Sequence, residues 1–389
     1  MSPDRFHILV AGGGVAGIEA VLTALELAPD ARVELVTPDP SFAYRPLSVV
    51  EPFARPGTRH VPYDVLAARG VTVTCDTLAS VDADRRVVGL AGGDQRTFDA
   101  LVVAIGALQR AVFPRVLTFA GPNQTEAMHG LVQDVEGGWA PRIAFAVPEG
   151  VTWTLPLYEL ALQLAVRRRE MGVDAELRFL TPERRPLEVF GSAVAEQIEG
   201  LLERAGIVLH TDVAPHVPHP RTISTGRYGT QFPARRIVAL PVLAGQRISG
   251  LPSDADGFVP IDEDGRVRGL TRVFAAGDGT TTPIKQGGLA AQQAERAVHT
   301  ALAEAGLTDP PSLDPPALMA VLITGDGTWY LRRLSGSTRG EISPRPLWWP
   351  PGKVAGRHIA PFLDHLAAQD TAGGIERRLA AARLEGDLS

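Results

Sequence analysis

Two stretches of the chain carry the same succession of patterns: a short apolar run, a turn, a segment of helical period and a second apolar run. The first comprises Phe6 to Val10, a helical segment reaching about Leu27, and Arg32 to Val36; the second comprises Ile143 to Val147, Leu155 to Glu170, and Ala175 to Thr181. Short apolar runs separated by a helix predict parallel strands joined by a crossover, the βαβ unit of an α/β fold. Between the two, Val71 to Thr74 alternates as a strand, and Val81 to Leu90 with Arg96 to Ala104 predicts a meander turning at Gly92-Gly93-Asp94. Arg236 to Leu240 reads as the last strand of the second unit. A late strand from Val273 ends at Gly277-Asp278, and an alanine-rich helix runs from Gly287 to about Ala305. Beyond it, Asp309 to Pro316 predicts a stiff linker, and Val321 to Thr324 pairs with Thr328 to Leu334 around Gly325-Asp326-Gly327 as a hairpin. His358 to Leu366 is amphipathic, and Ile375 to Leu384 is helical in pattern but rich in Ala, Glu and Arg.

Composition narrows the class. A chain of 389 residues buries about three quarters of its unfolded surface and holds two or three domains, with room for a crevice between them. A net charge of -6 argues against a nucleic-acid partner. No apolar run approaches the ~18 residues of a membrane span, and the chain enters a strand at once with no signal-peptide pattern. The expected location is cytoplasmic, with peripheral association at the inner face of the membrane left open. Cys75 is the single cysteine, which excludes an intrachain disulfide, structural or catalytic.

The glycines carry the first chemistry. Gly12, Gly14 and Gly17 fit G-x-G-x-x-G between strand and helix. The first permits the turn, the second lets backbone approach a pyrophosphate, and the third lets helix pack on strand; Ala16, in the same loop, is grouped with the cofactor contacts. The acidic residue that would hold a ribose diol is replaced by Thr37, with Asp39 two further on, so the adenosine ribose is expected to be anchored more weakly. In the late stretch, Asp278 is an acceptor placed for ribityl or ribose hydroxyls. The amide groups of Gly287, Gly288 and Leu289, with Lys285 and Gln286 beside them, face an oxygen that becomes negative when a ring is reduced. FAD has both parts.

The second βαβ unit lacks this equipment. Its loop reads Val147-Pro148-Glu149-Gly150-Val151-Thr152-Trp153-Thr154-Leu155-Pro156. Two prolines remove donors, Glu149 repels phosphate, and Trp153 is too large for close backbone approach, which argues against NAD(P)H in the standard mode. Arg167-Arg168-Arg169 reads as a solvated helix end. His210, His216 and His219 have a proline among them and no carboxylate or thiol companions, so no metal site is expected.

The glycine loop, the Gly277-Asp278 strand end and the Lys285-Gln286-Gly287-Gly288 helix start together resemble the two-dinucleotide-domain flavoproteins, in particular sulfide:quinone oxidoreductases and type II NADH dehydrogenases. The resemblance runs from the N-terminal glycines to about residue 310. It implies an α/β fold of two Rossmann-like domains plus a small C-terminal region: an FAD-binding domain in segments 1–113 and 251–312, a second Rossmann-like domain at 114–250, and a C-terminal region at 313–389. It places Arg45, in Phe42-Ala-Tyr-Arg45-Pro46-Leu47, along FAD, with a solvated surface arginine as the other reading. It sets Leu78 against adenine and matches Leu101-Val-Val-Ala-Ile-Gly106 to the family's strand-end motif, with Gly106 against FAD. Pro156-Leu157-Tyr158-Glu159 matches the helix start that follows a redox cysteine in the sulfide:quinone enzymes, and Trp153 stands at the cysteine position. The family's persulfide route is therefore closed.

Glu159 has two readings, a proton relay near the flavin or a first-turn carboxylate favoured by the helix dipole. The C-terminal region, with Trp348 and Trp349, is where such proteins meet quinone, membrane or a second subunit. Lys285, Glu159 and Trp153 are the candidate catalytic residues. The expected function is transfer of electrons from a small-molecule donor through FAD to a quinone-like acceptor. The alternatives are an NAD(P)H:acceptor oxidoreductase and, in another class, a non-catalytic FAD-bound redox sensor or assembly protein; a homodimer is compatible with each.

Overall fold

The computed structural model describes residues 5–368; the helical pattern at Ile375 to Leu384 lies outside the described residues. Two five-stranded parallel sheets form the frame. In the first, the spatial order is Val273–Ala275, Ala100–Val103, His7–Ala11, Arg32–Thr37, Thr72–Cys75. In the second it is Leu117–Thr118, Arg236–Ala239, Arg142–Ala146, Glu176–Leu180, Ile207–His210. Strands such as His7–Ala11 are buried along their whole length, because helices or sheets cover both faces. That is why they read as unbroken apolar runs rather than alternating ones.

The strand order reverses between His7–Ala11 and Ala100–Val103 in one sheet and between Arg142–Ala146 and Arg236–Ala239 in the other. In open α/β sheets the crevice outside the carboxyl ends at such a point is where ligands bind. Two short antiparallel strands, Leu108–Arg110 and Val242–Ala244, tie the lobes together at those carboxyl ends. The helix Val15–Leu27 lies against the helix Gly287–Glu304 through Ala16, Ala20 and Ala24 on one and Ala290, Ala291, Ala294 and Ala297 on the other. Small side chains let these helices approach closely, and both begin at the crevice.

A three-stranded antiparallel sheet, Leu318–Ile323, Thr328–Arg333 and Glu341–Ser343, forms the expected hairpin with one added strand. Leu318, Ala320, Leu322 and Leu331 join the core of the second lobe. A helix at 359–368 follows, burying Ile359, Phe362 and Leu363 against the first lobe. Its start is held by Glu19, a fully buried carboxylate that accepts the amides of His358 at 2.9 Å and Ile359 at 2.7 Å. Burial raises Glu19 to about 7. No helix among the described residues is long and apolar enough to cross a membrane.

Three expectations need correction. The meander comprises Leu78–Asp82, Val87–Leu90 and Gln95–Thr97, and the run assigned to its last limb instead supplies Ala100–Val103 to the parallel sheet. Only two residues separate these strands, so the pattern shows no break. Arg167-Arg168-Arg169 is bonded rather than merely solvated: Arg167 pairs with Glu136 at 2.5 Å, Arg168 donates to the carbonyls of Ala175 and Ala205, and Arg169 pairs with Asp326 at 3.1 Å. Glu159, weighed as a helix-dipole carboxylate, is fully buried and paired with Lys353.

Candidate active site

One cavity of about 990 Å³ runs along the crevice, lined by the carboxyl ends of both sheets and by the C-terminal segment at Lys353 and Val354. That is at the upper end of ordinary ligand pockets, about 300–1,000 Å³. All the sequence-derived candidates line it: Gly12, Gly14, Ala16, Thr37, Arg45, Leu78, Gly106, Trp153, Glu159, Gly277, Asp278, Lys285 and Gln286, with the sole exception of Gly17. Gly17 lies one layer back, where a Cβ would overlap the carbonyl oxygen of Gly12.

The glycine-loop end fits a dinucleotide. Gly12 takes a φ of +112°, and a Cβ there would run into the Ala104 carbonyl. A Cβ at Gly14 would meet nothing within 4 Å, so backbone at the helix start is open to a ligand. Thr37 departs from its expected ribose-binding role. Its hydroxyl is engaged by the Tyr63 side chain and by the Asp39 amide at 3.4 Å, while Tyr63 Oη donates to the Gly13 carbonyl at 2.9 Å. Arg45 is exposed on the cavity lip and forms no ion pair among the described residues.

At the other end, Asp278 faces the cavity without a hydrogen bond from the protein among the described residues. Burial pushes its carboxyl above the usual range, while Lys285 opposes the shift. Such an acceptor suits a polyhydroxyl chain. Lys285 donates to the Thr280 carbonyl, its Nζ sits 3.8 Å from the centroid of the Phe258 ring, and burial lowers its pKa. Gln286 differs from its expected ligand role: its side chain caps the helix, accepting the Leu289 amide at 2.8 Å and donating to the Met319 carbonyl at 3.1 Å. The Leu289 donor is therefore not free for an anion, and Val354 packs over Gly287. Lys285 is left as the main positive group. A partly buried cation beside a ring that gains charge contributes on the order of 1–2 kcal/mol, or about 20–40 mV for a two-electron couple. Lys285→Ala is accordingly expected to lower the potential of bound flavin by tens of millivolts in a dye-equilibrated redox titration; an unchanged potential would remove Lys285 from the site.

The sequence did not reveal the pair beneath this end. Lys353 Nζ meets Glu159 Oε2 at 2.6 Å, with side-chain exposures of 7% and 0%, and the other Glu159 oxygen accepts the Ile323 amide at 2.9 Å. Burial raises the Glu159 pKa, and Lys353 and the amide hold it back. Trp153 is half-buried in the cavity wall, its ring tilted against Phe190 at 6.1 Å. Cys75 is exposed and outside the lining. No group of His, Cys, Asp and Glu side chains able to hold a metal occurs among the described residues.

Paired parallel sheets, a glycine loop at one switch point and a cavity closed by a third, C-terminal sheet give the chain a two-lobed α/β fold that solved two-domain reductases share. The chain is similar to the sulfide-quinone reductase of Aquifex aeolicus (strain VF5), with 28% identity over 197 residues. That match spans 46% of this chain and 43% of the relative, less than half the length of either. The solved sulfide:quinone oxidoreductase of Aquifex aeolicus superposes with a TM-score of 0.77 at 19% identity over 87% of each chain. A ferredoxin reductase from Rhodopseudomonas palustris gives 0.65 at 16% identity, over 85% of this chain and 83% of that one. No protein-family model matches the chain.

Proposed function

We propose that this protein is an FAD-dependent oxidoreductase that passes electrons from a reduced small molecule to a quinone-like acceptor without a cysteine-persulfide route. The observation that carries the reading is the crevice cavity, which has an open glycine loop and an Asp278 carboxylate without a protein hydrogen bond among the described residues at its dinucleotide-binding parts, and a buried Glu159–Lys353 pair beside it. FAD bound there supplies two-electron acceptance and one- or two-electron return. Gly14 admits the pyrophosphate to backbone, Asp278 accepts from the ribityl hydroxyls, and Lys285 favours negative charge on a reduced ring. The C-terminal segment around Val354 excludes water. Quinone reduction consumes protons as well as electrons, and Glu159 with Lys353 holds an exchangeable proton next to the cavity, in reach of general-acid work.

The donor is not met by a thiol, since the one cysteine is exposed and outside the lining. Cys75→Ser is expected to retain full quinone reductase turnover; a loss beyond twofold would reinstate sulfur chemistry at that position. The deciding experiment is anaerobic mixing of the purified yellow protein with NADH, NADPH, sulfide or a quinol in separate samples, following the visible flavin absorption. Reoxidation by added quinone after bleaching by a small reductant supports the reading. Rapid bleaching by NADH would favour the nicotinamide route, and a protein that carries no flavin would sink the proposal.

A further inference from the structure

The second lobe carries an acidic residue three positions past its second strand, two beyond the point where a nucleotide-binding βαβ unit offers a carboxylate to a ribose diol. That residue is Glu183, and its carboxylate is turned inward. One oxygen accepts Thr154 Oγ1 at 2.9 Å and the Leu187 amide at 3.1 Å; the other accepts Tyr158 Oη at 2.7 Å and Thr181 Oγ1 at 2.9 Å. An ionised carboxylate has about four lone-pair sites, and all four are used. Two of these donors bracket Trp153. Thr154 follows it directly, and Leu187 opens the turn that ends in Phe190, the fully buried ring against which the indole tilts. The far side of that turn is also fixed: Gly191 has a φ of +102°, and a Cβ there would come within 2.5 Å of the Thr338 carbonyl, in the loop between the last two strands of the C-terminal sheet.

We propose that Glu183 is a positioning residue for Trp153: by clamping both sides of the indole it turns a lost nucleotide site into a rigid aromatic wall that takes a flat, uncharged ring and gives a dinucleotide no ribose anchor. The ring class rests on the quinone-like acceptor proposed above; the clamp does not. The smaller recess beside Trp153 agrees, since its one cation, Arg184, is paired with Glu188 at 3.5 Å, and a pyrophosphate there would have to compete with that carboxylate.

The test compares wild type, Glu183→Ala and Glu183→Gln, each with and without Trp153→Phe, so that the Trp153 emission is obtained by difference. Acrylamide quenching of that emission is expected to rise severalfold in Glu183→Ala and to return most of the way in Glu183→Gln. With duroquinone as the probe acceptor, KM is expected to rise about tenfold in Glu183→Ala while kcat and flavin content stay within twofold. NADH fluorescence is expected to show no binding to the wild type at millimolar concentration. If Glu183→Ala does not fold, Tyr158→Phe and Thr154→Val each remove one clamp bond and are read by the same quenching. Unchanged quenching overturns the clamp, and NADH binding overturns the exclusion. Quenching that rises in a protein that never reduces duroquinone supports the clamp and counts against the acceptor reading alone.

Discussion

Lys353→Ala is expected to destabilise the protein by about 3–5 kcal/mol at pH 8, because it leaves a carboxylate buried and unpaired. Glu159 and Lys353 are 0% and 7% exposed and 2.6 Å apart, so solvent does little to screen the pair or to rescue its survivor. The loss must depend on pH in a definite direction. Burial already raises Glu159 above its ordinary 4.5 even with the ammonium present, and removing that ammonium raises it further. Below pH 4.5 the carboxyl is protonated both folded and unfolded, and the missing partner costs little. As the pH climbs, the unfolded carboxyl ionises while the buried one resists, so the penalty grows until the folded pKa is passed. The double variant Glu159→Gln with Lys353→Ala removes the stranded charge and is expected to recover most of the stability. Urea unfolding of the single and double variants at pH 5 and pH 8 reads all of this. Equal losses at the two pH values, or no recovery in the double variant, would mean that the pair is not the buried contact it forms here.

The same pair explains why part of the site was hidden in the sequence. Glu159 and Lys353 stand 194 positions apart, and neither periodicity nor spacing connects two residues brought together only when a C-terminal segment folds back over a crevice. Glu19 is a similar case, a charged residue in an apolar helix face whose partners, the amides of His358 and Ile359, are backbone and leave no side-chain signature. By contrast, the βαβ units were plain, because strands buried on both faces have nowhere to place a polar residue. Glu183 is an acid past a strand, in the position that Asp39 fills in the first unit. Its inward turn was set by hydroxyls on Thr154, Tyr158 and Thr181, whose combined effect appears only in three dimensions. Gln286 was read as a ligand contact for a related reason: its place at the helix start is the same whether it faces a cofactor or caps the Leu289 amide.

Gly14→Val and Gly17→Val are expected to abolish flavin retention by different means, and the difference tests whether the cavity is a dinucleotide site at all. Gly14 has an extended φ of -79° and nothing within 4 Å of a built Cβ, so a side chain costs the fold little and instead occupies the space a pyrophosphate needs. The colourless Gly14→Val protein should therefore unfold within about 1 kcal/mol of the flavin-stripped wild type, as a substitution into open space does. Gly17 is the opposite case. Its added carbon would coincide with the Gly12 carbonyl, which is backbone and cannot swing aside, so the helix Val15–Leu27 must back away from the strand His7–Ala11. Overpacking of this kind costs about 1–3 kcal/mol or more, and the flavin-free Gly17→Val protein should be less stable than flavin-stripped wild type by at least that amount. Flavin-to-protein absorbance after desalting, together with thermal unfolding of the stripped proteins, separates the two effects. Retained flavin in Gly14→Val would show that the open glycine does not face the cofactor. A Gly17→Val protein as stable as wild type would mean that strand and helix are not in the close contact on which the cavity's geometry depends.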